Sequence, residues 1–343
     1  MKVRILSTLL FVSAIASAPA QEIVVDHLWA PGRMAFDHTS RRLYICQPEL
    51  GETDVLDLDS GTLSLLVKYP AVGITLDAQG RIYLVSDFKV QRFDSVRGTM
   101  ALIAGSGPPG SDIFPATSGD GGPATLATLG YAESVTVDSH GNLYIGEYKG
   151  MKVRRVDVVT GIITTVAGTG AIGYGGDGGD GRKAQFGPIT DLLVDRNDDL
   201  LIVDSFNDRI RRLDHLTGIV STIAGDGTYD DHIGDNALAS SITRPLHLGL
   251  DKAGNLYLAQ FNGEIKRIDA ATQRVTIVAA NLGVLRGIGV SPEGTLYYSH
   301  RRDWDFSNPE DGTKPLTWLG QVLRIQSCGS GCPPQPKRRA VGH

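Results

Sequence analysis

The chain has 343 residues, 41% of them hydrophobic and 21% charged, with a formal net charge of −5. This is the balance of a folded globular protein, and no basic block precedes Lys337-Arg338-Arg339, so electrostatic capture of nucleic acid is not expected. Cys46, Cys328 and Cys332 lack the paired spacing of a zinc site and are too few for a disulfide framework.

Residues 1–20 place Lys2 and Arg4 ahead of an apolar stretch, Ile5 to Ile15, and end in the small-residue site Ala18-Pro19-Ala20. That order is the pattern of an export signal, which predicts cleavage before Gln21 and a periplasmic or extracellular mature chain. No later apolar stretch reaches the roughly 20 residues needed to span a bilayer, so no transmembrane segment is expected in the mature chain.

From there the chain repeats one phrase. Its cleanest copy runs Ser134-Val135-Thr136-Val137-Asp138, Gly141-Asn142-Leu143-Tyr144-Ile145, Val153-Arg154-Arg155-Val156-Asp157 and Gly161-Ile162-Ile163-Thr164-Thr165-Val166-Ala167-Gly168. The short runs alternate apolar with polar residues, the period of a β-strand, and Gly-Asn or Gly-Arg pairs mark the tight turns. Aligned on the residue ending each first strand, the copies fall at Asp37, Asp77, Asp138, Asp195, Asp251 and Ser291. Where no insertion intervenes they stand about 40 residues apart, the length of one four-stranded propeller blade. The longer intervals carry three Gly-rich insertions, Ser106 to Leu129, Gly170 to Phe186 and Asp226 to Ile242. The sixth copy lacks a fourth strand, while Glu22 to His27 resembles one ahead of the first copy. The expectation is therefore an all-β, six-bladed β-propeller over residues 21–326, closed by the N-terminal strand pairing with Gln321 to Ile325. Residues 327–343 are expected to be a disordered tail, in which Cys328 and Cys332 can pair under oxidising conditions. Cys46 reads as a buried free thiol.

The segment Asp199-Leu200-Leu201-Ile202-Val203-Asp204-Ser205-Phe206-Asn207-Asp208-Arg209-Ile210-Arg211-Arg212-Leu213-Asp214 resembles the NHL repeat, and Gly141 to Asp157 and Gly254 to Asp269 match it less fully. The Gly-Asp-Gly-Gly-Pro-Ala insertions are similar to those of secreted bacterial NHL proteins. The resemblance implies a six-bladed propeller and admits several functions: ligand sensing, protein or RNA interaction, and lyase chemistry, with metal-dependent lactonases among related propellers.

A propeller gathers the starts of its first strands and the ends of its second strands at one mouth of the axis. The first set is Arg33, Gly73, Glu133, Asp191, His247 and Arg286; the second is Gln47, Ser86, Glu147, Asp204, Gln260 and His300. Blades three and four then contribute acids, and blades five, six and one contribute His247, His300, Arg286, Arg301 and Arg33, predicting an acidic and a basic side. The ligand-binding face expected from this is Arg33, Glu133, Tyr148, Asp191, Phe206, Phe261, Arg286, Arg301 and Trp304, with Trp304, Phe306 and Trp318 in a long loop from Arg301 to Leu319. Glu147, Asp204, His247 and His300 are the candidate ligands for a divalent cation, Ca²⁺ or Zn²⁺. Asp204 has an alternative structural role, since the repeat uses Asp there. Gly175 to Gly181 is a further candidate Ca²⁺ loop, the alternative being a turn that covers a blade junction. The main reading is a binding module for a peptide, glycan, small polar ligand or partner protein. The alternative is a metal-dependent lyase or lactonase-like hydrolase, whose lactonase form would draw on Glu147, Asn207 and Asp204. Serine-hydrolase, phosphate-loop and zinc-peptidase motifs do not occur in the sequence.

Overall fold

The computed structural model describes residues 21–37, 41–107, 117–291, 294–301 and 319–325. These form six sheets of four antiparallel strands. Five blades are consecutive in sequence. Blade one holds β2 to β5 (Met34–Asp37, Arg42–Gln47, Glu52–Asp57, Leu63–Val67), and blade two β6 to β9 (Gly73–Leu76, Ile82–Ser86, Lys89–Asp94, Thr99–Ala104). Blade three holds β10 to β13 (Ala132–Val137, Leu143–Glu147, Lys152–Val156, Ile163–Ala167), and blade four β14 to β17 (Ile189–Val194, Leu200–Asp204, Arg209–Leu213, Val220–Ala224). Blade five holds β18 to β21 (Pro245–Leu250, Leu256–Gln260, Ile265–Ile268, Val275–Ala279). The sixth combines β22 to β24 (Val284–Val290, Leu296–Arg301, Leu319–Ile325) with β1 (Gln21–Trp29), in the order β1-β24-β23-β22. Gln21 pairs with Ile325 and Ile23 with Leu323, so the expected closure is the observed one. The innermost strands touch in cyclic order, and β2 against β22 completes the ring.

The repeated phrase encodes this geometry through its hydrogen bonds. At the end of the first strand of blade three, Asp138 Oδ1 accepts from the amides of His140 (3.0 Å) and Asn142 (2.8 Å), while the Tyr144 hydroxyl and the Asn142 amide donate to Oδ2. Asp251 repeats the set with Ala253, Asn255 and Tyr257, and the Ser291 hydroxyl keeps one bond, from the Thr295 amide. The carboxylate satisfies turn amides that a strand ladder leaves free. Gly141, at φ 87°, takes the left-handed position this turn requires.

The hydrophobic core is divided into six clusters, one at each blade junction. Cys46 lies fully buried at the junction of blades one and two, as a free thiol.

The Gly-rich insertions close the outer edges of blades three and four. Gly121 and Gly122 exchange backbone hydrogen bonds with Ile163 of β13, and Gly178 and Gly179 do the same with Val220 of β17. A fourth strand otherwise presents an open edge. Each insertion is also tied inward by a buried cation of the third strand: Arg154 reaches Asp120 (2.8 Å) and Arg211 reaches Asp177 (2.7 Å). In blade five Lys266 reaches Asp231 (2.9 Å), upstream of the Gly234-Asp235-Asn236 phrase. Asp177 is thus committed to Arg211 and to the Thr222 hydroxyl (2.7 Å), which corrects the Ca²⁺ expectation for Gly175 to Gly181. The loop is an edge cover.

Candidate functional site at the channel mouth

The first strands line an axial cavity of about 440 Å³, with Arg33, Asp191 and His247 at one end and Asp37 and Asp77 at the other. Because Arg33 directly precedes β2 and β14 carries Asp191, these residues belong to blades one and four, opposite each other in a ring of six. Their ion pair, Arg33 Nη1 to Asp191 Oδ1 at 2.6 Å, therefore crosses the axis. Both side chains are largely shielded from solvent, 10% and 14% exposed, and the second guanidinium nitrogen donates to the Thr190 carbonyl. Asp191 is the hub of the mouth. Its Oδ1 also accepts from Ser134 Oγ (2.9 Å) and the Leu192 amide (2.9 Å), and its Oδ2 accepts from the Leu248 amide (3.0 Å). Burial, the largest influence, pushes its pKa up, but Arg33, His247 and the Leu248 amide together outweigh it and hold Asp191 at about 2.

The expected division into an acidic and a basic side is consequently not what the ring displays. Arg33 neutralises Asp191 across the axis because the circle of first strands is narrow enough for one arginine to span.

Three other titratable groups stand around this pair with a buried polar atom lacking a partner: Glu133 Oε2, His247 Nδ1 and Arg286 Nε. His247 Nδ1 lies 3.7 Å from Asp191 Oδ2, beyond hydrogen-bond length. Burial depresses the imidazole pKa, Arg33 and Arg286 depress it further, and Asp191 opposes them without prevailing, so His247 is neutral at neutral pH. Burial raises the Glu133 pKa, with Asp191 adding and Arg33 opposing. The blade-two position in this ring is Gly73, where a Cβ would stand 2.7 Å from the Glu133 carbonyl oxygen; only glycine lets β6 and β10 approach so closely.

An aromatic rim stands above these residues on blades two to five. Tyr131 meets Phe88 edge-on at 5.8 Å and Tyr148 at 6.4 Å, and Lys149 lies over its ring. Arg244 lies between Phe206 (4.9 Å) and Phe261 (5.4 Å), whose rings are half exposed. Burial, then Glu133, raise the Tyr148 hydroxyl pKa while Arg244 opposes, which couples rim and mouth. Tyr131 (φ 59°) and Arg244 (φ 41°) both hold left-handed backbone just ahead of a first strand, a strain of the sort that functional loops keep.

Of the residues expected on a ligand-binding face, Arg33, Glu133, Asp191 and Arg286 stand at the mouth and Tyr148, Phe206 and Phe261 on the rim. Trp304 and the Arg301 side chain, like Phe306 and Trp318, lie outside the described residues. Ser134, Thr190, Tyr131 and Arg244 escaped sequence reasoning; they sit beside the predicted positions and only packing shows what they touch.

The candidate metal quartet does not assemble. Fully buried Glu147 is bound by Arg154 of its own blade at 3.1 Å, and burial lifts its pKa to about 7. Fully buried Asp204 accepts from the Gly187 amide (2.8 Å), Asn207 Nδ2 (2.8 Å) and Arg211 Nη1 (3.3 Å). Both serve the blade-internal ion pairs that anchor the insertions. His247 faces Asp191, and His300 stands beside the Tyr298 ring. Among the described residues no group of three His, Cys, Asp or Glu side chains converges as a metal site would need, and the Glu147, Asn207 and Asp204 set is likewise split between two blades. These residues do not fit the cation the sequence suggested.

Fold and mouth together define a six-bladed β-propeller with a polar, ion-paired axial site. No family model matches the chain. Similar solved structures include regucalcin from Agrobacterium tumefaciens, described as calcium-binding (TM-score 0.61, 14% identity, 90% of this chain and 94% of that one). A gluconolactonase from Xanthomonas campestris gives a TM-score of 0.59 at 12% identity, over 91% of this chain and 93% of its own. Virginiamycin B lyase from Staphylococcus aureus gives 0.52 at 12%, over 81% and 80%. At these identities the likeness is one of fold. Among curated proteins, SUPPRESSOR OF QUENCHING 1 of Arabidopsis thaliana chloroplasts is 25% identical over 215 residues, covering 57% of this chain. The chain spans about a fifth of the length of that relative. Among the described residues no helix is long and apolar enough to cross a membrane.

Proposed function

We propose that this protein is an exported NHL-type propeller that binds a small polar ligand, or the polar end of a peptide or glycan, at the channel mouth. The observation carrying the proposal is the convergence of Arg33, Glu133, Asp191, His247 and Arg286 from five blades, with three buried polar atoms left unpartnered. Unpaired buried polar groups cost stability, about 1–3 kcal/mol each, and a ligand that satisfies them recovers part of that cost on binding. The aromatic rim supplies apolar and cation-π contact for the rest of a larger ligand. Export is supported by the charge, apolar and small-residue order of residues 1–20.

The test is a thermal-shift screen of the mature chain against small acids, amines, sugars and short peptides, repeated with Glu133→Gln and Arg286→Leu. A stabilising ligand whose effect either substitution weakens supports the proposal; ligands indifferent to both substitutions refute it.

A second reading, lyase or lactonase-like hydrolysis, draws on the fold neighbours and on the presence at one mouth of a neutral imidazole, His247, and a carboxyl of raised pKa, Glu133, the group types that general acid–base chemistry uses. Turnover of glucono-1,5-lactone by the mature chain, lost in His247→Ala, would support it. A requirement for added Ca²⁺ or Zn²⁺ would restore the metal-dependent form, which the described residues do not furnish.

A further inference from the structure

We infer, on the reading of the mouth as a binding site, that its ligand is an organic carboxylate with an uncharged neighbouring polar group, a hydroxy acid in the simplest case, held by Arg286 and Glu133.

The inference follows from which groups are already committed. Asp191 accepts hydrogen bonds from Arg33, Ser134 and Leu192 on Oδ1 and from Leu248 on Oδ2, and its charge is already met by Arg33. Arg33 is spent on Asp191 and Thr190. Arg286 is different. Its nearest carboxylate, Glu49, is 3.9 Å away, and both side chains are more than one-third exposed, so that contact does not hold the guanidinium. Its Nε is nevertheless buried and unpartnered, leaving the planar fork, the donor pair that fits a carboxylate, without an acceptor.

Around the Arg33–Asp191 pair, Glu133 Oε2 and His247 Nδ1 are likewise buried and without a partner. Against Glu133 are packed Arg33 ahead of β2, Asp191 of β14, the hydroxyls of Tyr131 and Tyr148, and the backbone of Gly73 in β6. Burial and the Asp191 charge favour the protonated form of Glu133 while Arg33 opposes it, and a ligand carboxylate set against the unpartnered Oε2 would favour that form further, since protonated Glu133 donates to a ligand oxygen instead of repelling it. The neutral His247 nitrogen can meet a hydroxyl on the same ligand. An ammonium in that place would add a second positive group beside Arg33 and Arg286, whose one neighbouring anion, Asp191, is already paired with Arg33, whereas a hydroxyl meets the neutral nitrogen without adding a charge and is the favoured group.

Proton linkage gives the inference its signature. A carboxylate bound against Glu133 favours the protonated form, so affinity should fall as pH rises through the elevated Glu133 pKa. Replacing Glu133 by Gln should remove the dependence, because the amide is uncharged throughout.

The experiment is ligand-observed NMR titration of the mature chain with lactate, lactamide and alanine, which share a carbon skeleton and differ in charge. It is run from about pH 4, the ordinary glutamate range, upward to about pH 8, so that a carboxyl shifted upward is crossed on the way. Lactate is expected to bind at least about tenfold more tightly than lactamide or alanine, a difference of about 1.4 kcal/mol. Arg286→Leu should abolish that preference, and Glu133→Gln should keep binding but flatten its pH profile. Circular dichroism and melting temperature confirm that each variant is folded, and Arg286→Lys, which keeps the charge and loses the fork, should retain only part of the preference. Equal binding of lactamide or alanine overturns the carboxylate inference while leaving the mouth a ligand site. The same holds if neutral or cationic compounds from the thermal-shift screen bind there and carboxylates do not. If no compound of any charge responds to substitution at Arg286 or Glu133, the inference and the reading beneath it both fall.

Discussion

Replacing Asp191 by Asn is the sharpest probe of the mouth. The substitution keeps the volume and one acceptor oxygen but removes the charge that neutralises Arg33 across the axis. Arg33 is then a buried cation with no counter-charge, a loss that in buried pairs costs about 3–5 kcal/mol; the retained amide oxygen places this case near the lower figure. Asp191's own titration gives a comparable magnitude. Its folded pKa is about 2 against an ordinary value of 3.8, a shift equivalent to roughly 2 kcal/mol of stability. The sign follows from the direction: the folded value is depressed, so the stabilisation is complete above the unfolded pKa and is lost as pH falls through the folded one. Near neutral pH, Asp191→Asn should therefore lower the melting temperature by roughly 5–10 °C, and the difference from wild type should shrink steadily below about pH 4. Replacing both partners, Arg33→Met with Asp191→Leu, should recover at least half of the loss, since an apolar pair leaves no orphaned charge. Calorimetry of wild type, Asp191→Asn, Arg33→Met, Asp191→Leu and the Arg33→Met/Asp191→Leu double variant over that pH range decides it. Equal melting temperatures at neutral pH, additive effects of the two single substitutions, or a difference that persists undiminished at about pH 2 would each refute the account.

The glycines of β22 separate close backbone approach from ordinary packing. A Cβ at Gly287 would stand 2.4 Å from the Gly32 carbonyl oxygen, whereas one at Gly289 would meet nothing nearer than a Leu43 methyl at 3.5 Å. Gly287→Ala should cost about 1–3 kcal/mol in urea unfolding and Gly289→Ala much less. Arg211→Met should destabilise blade four, by depriving Asp204 of its buried counter-charge and by freeing Asp177, and limited proteolysis should then cut within Gly175 to Gly181 faster than in wild type. Burial pushes the Cys46 thiol up to about 12, so peptide mapping after iodoacetamide should find Cys46 unmodified in the folded protein and fully alkylated in denaturant. Alkylation at equal rates in both states would show that the junction of blades one and two opens readily.

The architecture is written in the sequence because it rests on local chemistry repeated six times. An Asp that caps a turn through amides two and four residues on, a Gly with positive φ, and a run of alternating apolar residues dictate the same hairpin wherever they recur, as at Asp138 and Asp251. Ring closure was legible for a related reason: a copy lacking one strand and a spare strand at the other end admit one pairing that leaves no open edge. The positions gathered at the mouth followed from that register, so Arg33, Glu133, Asp191, His247 and Arg286 are all identifiable from their numbers in the repeat.

What those side chains do to one another belongs to the tertiary structure alone. Arg33 and Asp191 are 158 residues apart, and nothing local indicates that one guanidinium would span the axis. That contact turns an expected separation of charge into a neutralised pair and leaves Arg286 and Glu133 as the groups without commitments. The same limit misplaced Glu147 and Asp204: their residue types suit a metal, but the third-strand arginines opposite them, Arg154 and Arg211, had already claimed both. Sequence specifies which groups each strand carries to the mouth. Only the closed ring, through distance and burial, determines which of them remain free to meet a ligand.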